Sequence, residues 1–235
     1  MKSPLCIIPA RGSSKRFPRK NVTLFFGKPM LAYAIEAAKE SGLFERVCVS
    51  SEDEEILSIA AQFGAEPLKR PMELATDTST VCDVCVSLLA HDAPDVFAVL
   101  QPTNPLLLPQ HIRDAFGIFE SKSADVVMSV VPYHFPPQHA VRVSKDVILP
   151  LAVAEDAKTQ SQRLEPLYHP DGSVIIARTD VFLREKQWFV PKTMPYFIPP
   201  EDSVDIDLPQ DLAWAEFLFL QRAQAQNSRS ATIAS

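Results

Sequence analysis

The sequence predicts a three-layer α/β fold, a mostly parallel sheet with helices on both faces. Three observations carry this. Apolar runs short enough for buried strands recur at Leu5 to Pro9, Arg46 to Ser50, Val96 to Leu100 and Asp125 to Val131. Segments of helical period separate them. That alternation, sustained over about 130 residues, is the pattern of strand–helix–strand units with right-handed crossovers.

The elements follow in order. Met30 to Ser41 reads as a helix with Leu31, Ala34, Ile35 and Ala38 on one face, stopped by Gly42. Ser51 is placed to cap the next helix, with Glu54 three residues on completing a capping box, and that helix runs to Phe63 before Gly64. Further helices are expected over 79–91 and 109–120. After Pro132 the texture changes: prolines and histidines crowd the chain, and Val141-Arg142-Val143 alternates as an antiparallel strand does. Residues 132–170 therefore read as an excursion from the main sheet. Ser173 to Ala177 and Met194 to Ile198 return as strands, and Pro209 to Arg222 closes the domain as a helix. One domain over 1–222 is expected, followed by a flexible tail over 223–235. Phe25, Phe26, Phe116, Phe119 and Trp214 are assigned to the core.

Bulk composition narrows the function. The chain has 235 residues and a formal net charge of −6, which argues against a general nucleic-acid binder. Its 21 prolines against 6 glycines indicate many rigid loops in a globular protein. No stretch approaches the roughly 20 apolar residues of a membrane span, and the N-terminal apolar run is too short for a signal peptide. A cytoplasmic location is expected. Cys6, Cys48, Cys82 and Cys85 read as reduced thiols; the C-x-x-C lacks the second ligand pair of a zinc site.

Ligands of open α/β sheets bind beyond the carboxyl ends of the strands, so the loops after Pro9, Ser50 and Leu100 are the places to look. The first carries five cations within ten residues: Arg11, Lys15, Arg16, Arg19 and Lys20. Such a loop surrounds a triphosphate with fixed positive charge and backbone N–H groups, and Gly12 admits a close approach. The spacing matches neither G-x-x-x-x-G-K-[ST] nor G-x-G-x-x-G. Near the other end, Asp205 and Asp207 share one face if Ser203 to Leu208 is extended. Two carboxylates with phosphate oxygens and water suit Mg²⁺. The alternative for Asp207 is capping the helix that begins at Pro209.

The stretch from Ile8, I-P-A-R-G-S-S-K-R-x-P-R-K-N, resembles the nucleotide loop of the acylneuraminate cytidylyltransferases. Four later segments agree in order: Val49-Ser50-Ser51-Glu52-Asp53; Lys69-Arg70-Pro71 with Ala75-Thr76-Asp77-Thr78; Leu100-Gln101-Pro102-Thr103-Asn104-Pro105; and Ser203-Val204-Asp205-Ile206-Asp207. The resemblance implies a Rossmann-like nucleotidyltransferase fold with a small antiparallel dimerisation excursion. It also implies transfer of CMP from CTP to a nine-carbon keto sugar acid, with Mg²⁺ and a homodimer. By the same resemblance Arg11 and Lys20 hold the triphosphate and, with Asp207, form the catalytic set. Ala10, Gly12, Lys15, Asn21, Arg70 and Ser79 complete the nucleotide site. Gln101, Thr103, Tyr168, His169 and Asp171 face the sugar, and Asp205 and Asp207 hold the metal. The chain departs from the family at Ser161, His169 and Asp171, where Arg, Arg and Asn are expected, which leaves the exact sugar open. The competing readings are a cytidylyltransferase for an eight-carbon keto sugar acid, a CTP-binding homologue without turnover, and an interaction module with a basic loop.

Overall fold

The computed structural model of the protein describes residues 3–90, 93–151 and 158–233, with side chains through residue 225. Seven strands form one sheet: β1 (Leu5–Pro9), β4 (Arg46–Ser51), β5 (Glu66–Lys69), β6 (Val96–Leu100), β7 (Val126–Pro132), β10 (Tyr168–Arg178) and β11 (Thr193–Phe197). Their spatial order is β11-β7-β10-β6-β1-β4-β5. All pairings are parallel except those of β10, which runs antiparallel to both β6 and β7.

Alternation along the strands builds the three layers. From β1, Cys6 and Ile8 enter one apolar cluster with Leu31, Ala34 and Ile35 of helix α1 (Met30–Ser41), Ile56 of α2 (Glu54–Gln62) and Ile112 of α4 (Pro109–Ser121). Leu5 and Ile7 face the other way, onto Cys85 and Leu89 of α3 (Val81–Leu89) and Phe182 of α5 (Thr179–Glu185). Each fully buried Ile or Leu in these layers contributes roughly 1.5–3 kcal/mol relative to exposure. The four cysteines are free, and burial pushes the Cys48 thiol up to about 12, assisted by Glu66, so it behaves as an apolar filler.

A third, smaller cluster positions the site. Phe25 of the two-residue strand β2 (Leu24–Phe25), Met30, Leu106, Val204, Ile206 and Ala215 pack together. They draw the last helix, α6 (Pro209–Ile233), and the segment before it against β2 and its partner β3 (Lys28–Pro29).

Several expectations change. Asp53, not Ser51, caps α2: its carboxylate accepts from the N–H groups of Glu55 and Ile56. Helix 79–91 ends at Leu89, and His91 lies outside the described residues. Residues 203–208 form no ladder, yet burial still alternates: Val204 and Ile206 are inside, Asp205 and Asp207 outside. The tail is helical to Ile233, as its Ala, Gln and Arg content favours; residues 234–235 lie outside the described residues. Phe25 and Phe119 are core, but Phe26 is 47% and Trp214 53% exposed, each stacked on another aromatic ring. The excursion contains the antiparallel hairpin of β8 (Val141–Ser144) and β9 (Val147–Pro150), and residues 152–157 within it lie outside the described residues. Among the described residues no helix is long and apolar enough to cross a membrane.

Candidate active site

The carboxyl ends of β1 and β6 open on a cleft of about 430 Å³. The basic loop supplies Arg11, Lys20 and Asn21 to its wall; Arg70 and Ser79 come from the segment between β5 and α3, and Gln101 and Thr103 from the loop after β6. These seven expected residues lie up to 92 positions apart in sequence, from Arg11 to Thr103, and meet in one place.

The basic loop is held by its ends. Ala10 N–H donates to the carbonyl of Ser50 at 3.0 Å, extending β1 by one residue, and buried Asn21 donates Nδ2 to the carbonyl of Arg11 at 2.8 Å. Its cations are matched by carboxylates from distant segments. Arg11 and Lys15 both meet Asp77. Arg16 and Lys20 both meet Asp207, Lys20 at 2.8 Å. Arg19 meets Asp53 and Glu55.

Gly12 was expected to admit a phosphate. In the structure its N–H donates to Glu52 Oε1 at 2.7 Å, and a Cβ there would lie 2.5 Å from Asp53 Oδ2, so the close neighbour that demands glycine is Asp53. Glu52 also accepts from Nε and Nη2 of Arg70, whose side chain is 5% exposed. Burial alone would raise the Glu52 carboxyl. Hydrogen bonds from its own backbone N–H, from Arg70 and from Gly12 outweigh that and hold it below the usual carboxylate range. Arg70 thus lines the cleft with its charge already met. The hydroxyl of Ser79 donates to the carbonyl of Glu73 at 2.7 Å, and Thr80 beside it caps α3 in a reciprocal box with Asp83.

The acidic pair does not itself line the cleft but is bonded to two residues of its wall, Thr103 and Lys20. Thr103 Oγ1 donates to Asp205 Oδ1 at 2.6 Å, and Ile206 N–H donates to the Thr103 carbonyl at 3.0 Å. Asp205 keeps an exposed surface as a residue, yet its carboxyl is crowded. Desolvation raises its pKa and the charge of Asp207 adds to this, against the opposing effects of Thr103, Lys20 and Gln101. For Asp207, desolvation is outweighed by Lys20 and Arg16, and its pKa is lowered. The capping alternative fails: Asp211 accepts the N–H groups of Asp207 and Leu208, leaving the Asp207 carboxylate to the cations.

Among the described residues no three His, Cys, Asp or Glu side chains gather into a metal cage. That is compatible with Mg²⁺, which takes one or two protein carboxylates and completes its shell with substrate oxygens and water. The donor chemistry fits: two carboxylates close enough for one to disfavour ionisation of the other are relieved by a divalent cation.

The expected sugar-facing residues of β10 sit apart from the cleft wall. Tyr168 packs edge-on against Phe197 with ring centroids 5.0 Å apart, and His169 lies 4.8 Å from the Tyr133 ring. Asp171 accepts from Ser203 Oγ at 2.6 Å and from Ser173. Only Gly172 of this turn lines the cleft, at φ 77°, where a Cβ would meet Gln101 Oε1 at 2.2 Å. The positive φ is what favours glycine here, and the missing Cβ leaves room for the Gln101 amide across the turn. Residues that sequence reasoning did not assign roles are Glu52, Asp53 and Asp77, the partners of the basic loop. Their signals were position, since Glu52 and Asp53 directly follow β4, and membership of the segments that resemble the family, which carried no role for them.

This arrangement, a basic loop after the first strand bonded to an acidic pair beside a cleft at the strand ends, defines an open, mostly parallel α/β fold. The chain belongs to the cytidylyltransferase family, whose pattern matches residues 5–226. It is 35% identical over 211 residues to the N-acylneuraminate cytidylyltransferase of Streptococcus agalactiae, covering 88% of this chain and 51% of that protein. The chain thus spans about half the length of that relative. It is 33% identical over 221 residues to the pseudaminic acid cytidylyltransferase of Campylobacter jejuni, covering 92% of this chain and 95% of that one. With the CMP-N,N'-diacetyllegionaminic acid synthase of Legionella pneumophila the identity is 35% over 222 residues, covering 91% and 95%. In fold it matches the CMP:2-keto-3-deoxy-manno-octonic acid synthetase solved with CTP, at a TM-score of 0.69 and 18% identity, over 94% of this chain and 100% of that chain.

Proposed function

We propose that this chain transfers CMP from CTP to the anomeric hydroxyl of a nine-carbon keto sugar acid of the sialic-acid type, releasing pyrophosphate. The observation that carries the reading is the meeting of the two ends of the chain beside one cleft, with Lys20 Nζ 2.8 Å from Asp207 Oδ1. The relatives that match nearly end to end bear the names of pseudaminic and diacetyllegionaminic acid enzymes, which supports a nonulosonate substrate.

In this reaction the sugar oxygen forms a bond to the α-phosphorus, the bond from that phosphorus to the oxygen bridging toward the β-phosphate breaks, and the hydroxyl proton passes to solvent. Arg11, Lys15 and Lys20 hold the triphosphate; Asp77 occupies donors of Arg11 and Lys15 that phosphate oxygens take in its place. Arg11 and Lys20 offset the charge that grows on the leaving pyrophosphate. Asp205 and Asp207 hold Mg²⁺, which when bound neutralises phosphate charge. Asn21 and buried Arg70 keep the loop and the floor of the cleft in place. No covalent nucleophile enters. A cytoplasmic location is part of this reading; among the described residues no helix is long and apolar enough to cross a membrane.

The chain acts as a homodimer. The hairpin β8–β9 exposes Val141, Val143, Val147, Ile148 and Leu149, and Leu151 follows, each 48–69% exposed. A second copy covers these aliphatic side chains and brings its own excursion toward the neighbouring cleft.

The deciding experiment mixes purified protein with CTP, Mg²⁺ and one sugar at a time, and follows pyrophosphate. Release is expected with N-acetylneuraminic, legionaminic or pseudaminic acid. Release with the eight-carbon acid alone assigns the competing substrate class. CTP binding without release from any sugar makes the chain a non-catalytic homologue.

A further inference from the structure

Residues 202–207 carry the acidic pair but belong to no strand, so buried Val204 and Ile206, the backbone bond from Ile206 to Thr103 and a set of side-chain bonds together fix where the pair points. Asp202 gathers three of those side-chain bonds, from three different segments. Its carbonyl accepts from Asn104 Nδ2 at 2.9 Å. One carboxylate oxygen meets His111 Nε2 at 3.0 Å, and the other accepts from Arg222 Nη2. Arg222 also donates to the carbonyl of Leu106 at 3.0 Å, and Asn104 Oδ1 accepts the Leu106 N–H at 3.0 Å. Asp202 is therefore tied at once to α4, α6 and the loop that supplies Thr103 to Asp205.

The far side of the network is equally defined. His111 Nδ1 lies 2.8 Å from the Tyr196 hydroxyl. Burial, with the charges of Asp114, Asp202 and Asp171, pushes that hydroxyl up to about 12, so it keeps its proton and donates. With the Tyr196 hydroxyl donating to Nδ1 and Nε2–H donating to Asp202, both ring nitrogens of His111 are paired. His111 and Tyr196 are 6% and 8% exposed, so none of these bonds is exchanged freely for water. Buried, fully satisfied networks of this kind hold one geometry, because losing a single partner leaves a desolvated polar group unpaired.

We propose that Asp202, held by His111 and Arg222, is the positioning residue that aims Asp205 and Asp207 toward the cleft. It touches no substrate. It acts as outer-shell partners act on metal ligands elsewhere, by removing the freedom of the groups that do the binding. The role rests on the reading of Asp205 and Asp207 as the metal-holding pair.

The test measures Mn²⁺ binding in the presence of CTP by electron paramagnetic resonance, beside the Mg²⁺ concentration for half-maximal activity. Asp202→Asn and His111→Leu are each expected to weaken Mn²⁺ binding about tenfold, the low end of the effect of removing such outer-shell partners. His111→Gln, which keeps a donor toward Asp202, is expected to restore most of it. The KM for CTP at saturating Mg²⁺ should move less than twofold. Should Asp202→Asn not fold, His111→Leu and His111→Gln decide alone. Variants that melt lower but bind Mn²⁺ as the wild type does reduce Asp202 to a structural role and overturn the proposal. Wild-type protein that binds no Mn²⁺ with CTP sinks the metal reading itself, and this role with it.

Discussion

The basic loop after β1 and the hairpin β8–β9 both project from the sheet, and they are built in opposite ways. The loop is polar, and its cations find carboxylates that other parts of the same chain deliver: Asp77, Asp207, Asp53 and Glu55. The hairpin is aliphatic and points its side chains outward. Hydrogen bonds and charge complete the first within one chain. Apolar surface of the second kind is the type that the proposed dimer would cover. The contrast separates the proposed chemistry of the cleft from the proposed assembly, and each side breaks with a different substitution.

The largest effect is expected at the point where the loop meets the acidic pair. Asp207→Asn keeps the shape but removes the charge shared by Lys20 and Arg16. Loss of one preorganised charge contact of this kind costs about 10²–10³-fold in kcat. Circular dichroism should show an unchanged fold, because Asp211 and not Asp207 supports the start of α6. A variant with near wild-type turnover removes Asp207 from the metal site.

The hairpin side is sharpened by Val143→Lys with Ile148→Glu. These two residues face each other across the ladder, so the new pair is of opposite charge and preserves the hairpin. Light scattering should show the dimer replaced by monomer. CTP binding, a property of the loop, should stay within a few-fold. Wild-type protein that is already monomeric at micromolar concentration refutes the proposed assembly.

How much of this was legible in the sequence follows the same division. The strands that bury both faces, such as Leu5–Pro9 and Val96–Leu100, announce themselves by continuous apolar runs. The edge strand Glu66–Lys69, with residues Glu-Pro-Leu-Lys, has no such run and is defined only by its ladder to β4. Helix α5, of seven residues, is too short for its period to stand out. The cations of the loop and the acidic pair were readable because their types cluster locally. Their partners were not, since Asp77 and Arg11 lie 66 residues apart and become neighbours only through the fold. Trp214 misled for a related reason: a large aromatic residue in a helix of apolar content suggests a core position, yet α6 turns Ala215 inward and leaves Trp214 outside.

The smallest effect tests whether the cleft is poised for a cation, and it is read as stability. The pKa of Asp205 is raised in the folded chain, by desolvation first and by Asp207 second. A carboxyl raised on folding holds its proton more tightly in the native state. The stability this gives is fully present below the unfolded value, about 3.9, and is lost as pH rises through the folded value. At pH 7 the ionised Asp205 therefore burdens the metal-free protein. Asp205→Asn is expected to melt slightly higher than wild type at pH 7 without Mg²⁺, by one or two degrees. The gap should close below pH 4, where both proteins are neutral at that position. Adding Mg²⁺ and CTP should stabilise the wild type and leave Asp205→Asn nearly unmoved, reversing the order. If the metal-free variant melts below the wild type at pH 7, the hydrogen bond from Thr103 outweighs the burden of the charge, and the acidic pair is a structural anchor of residues 203–208 with no strain for a metal to relieve.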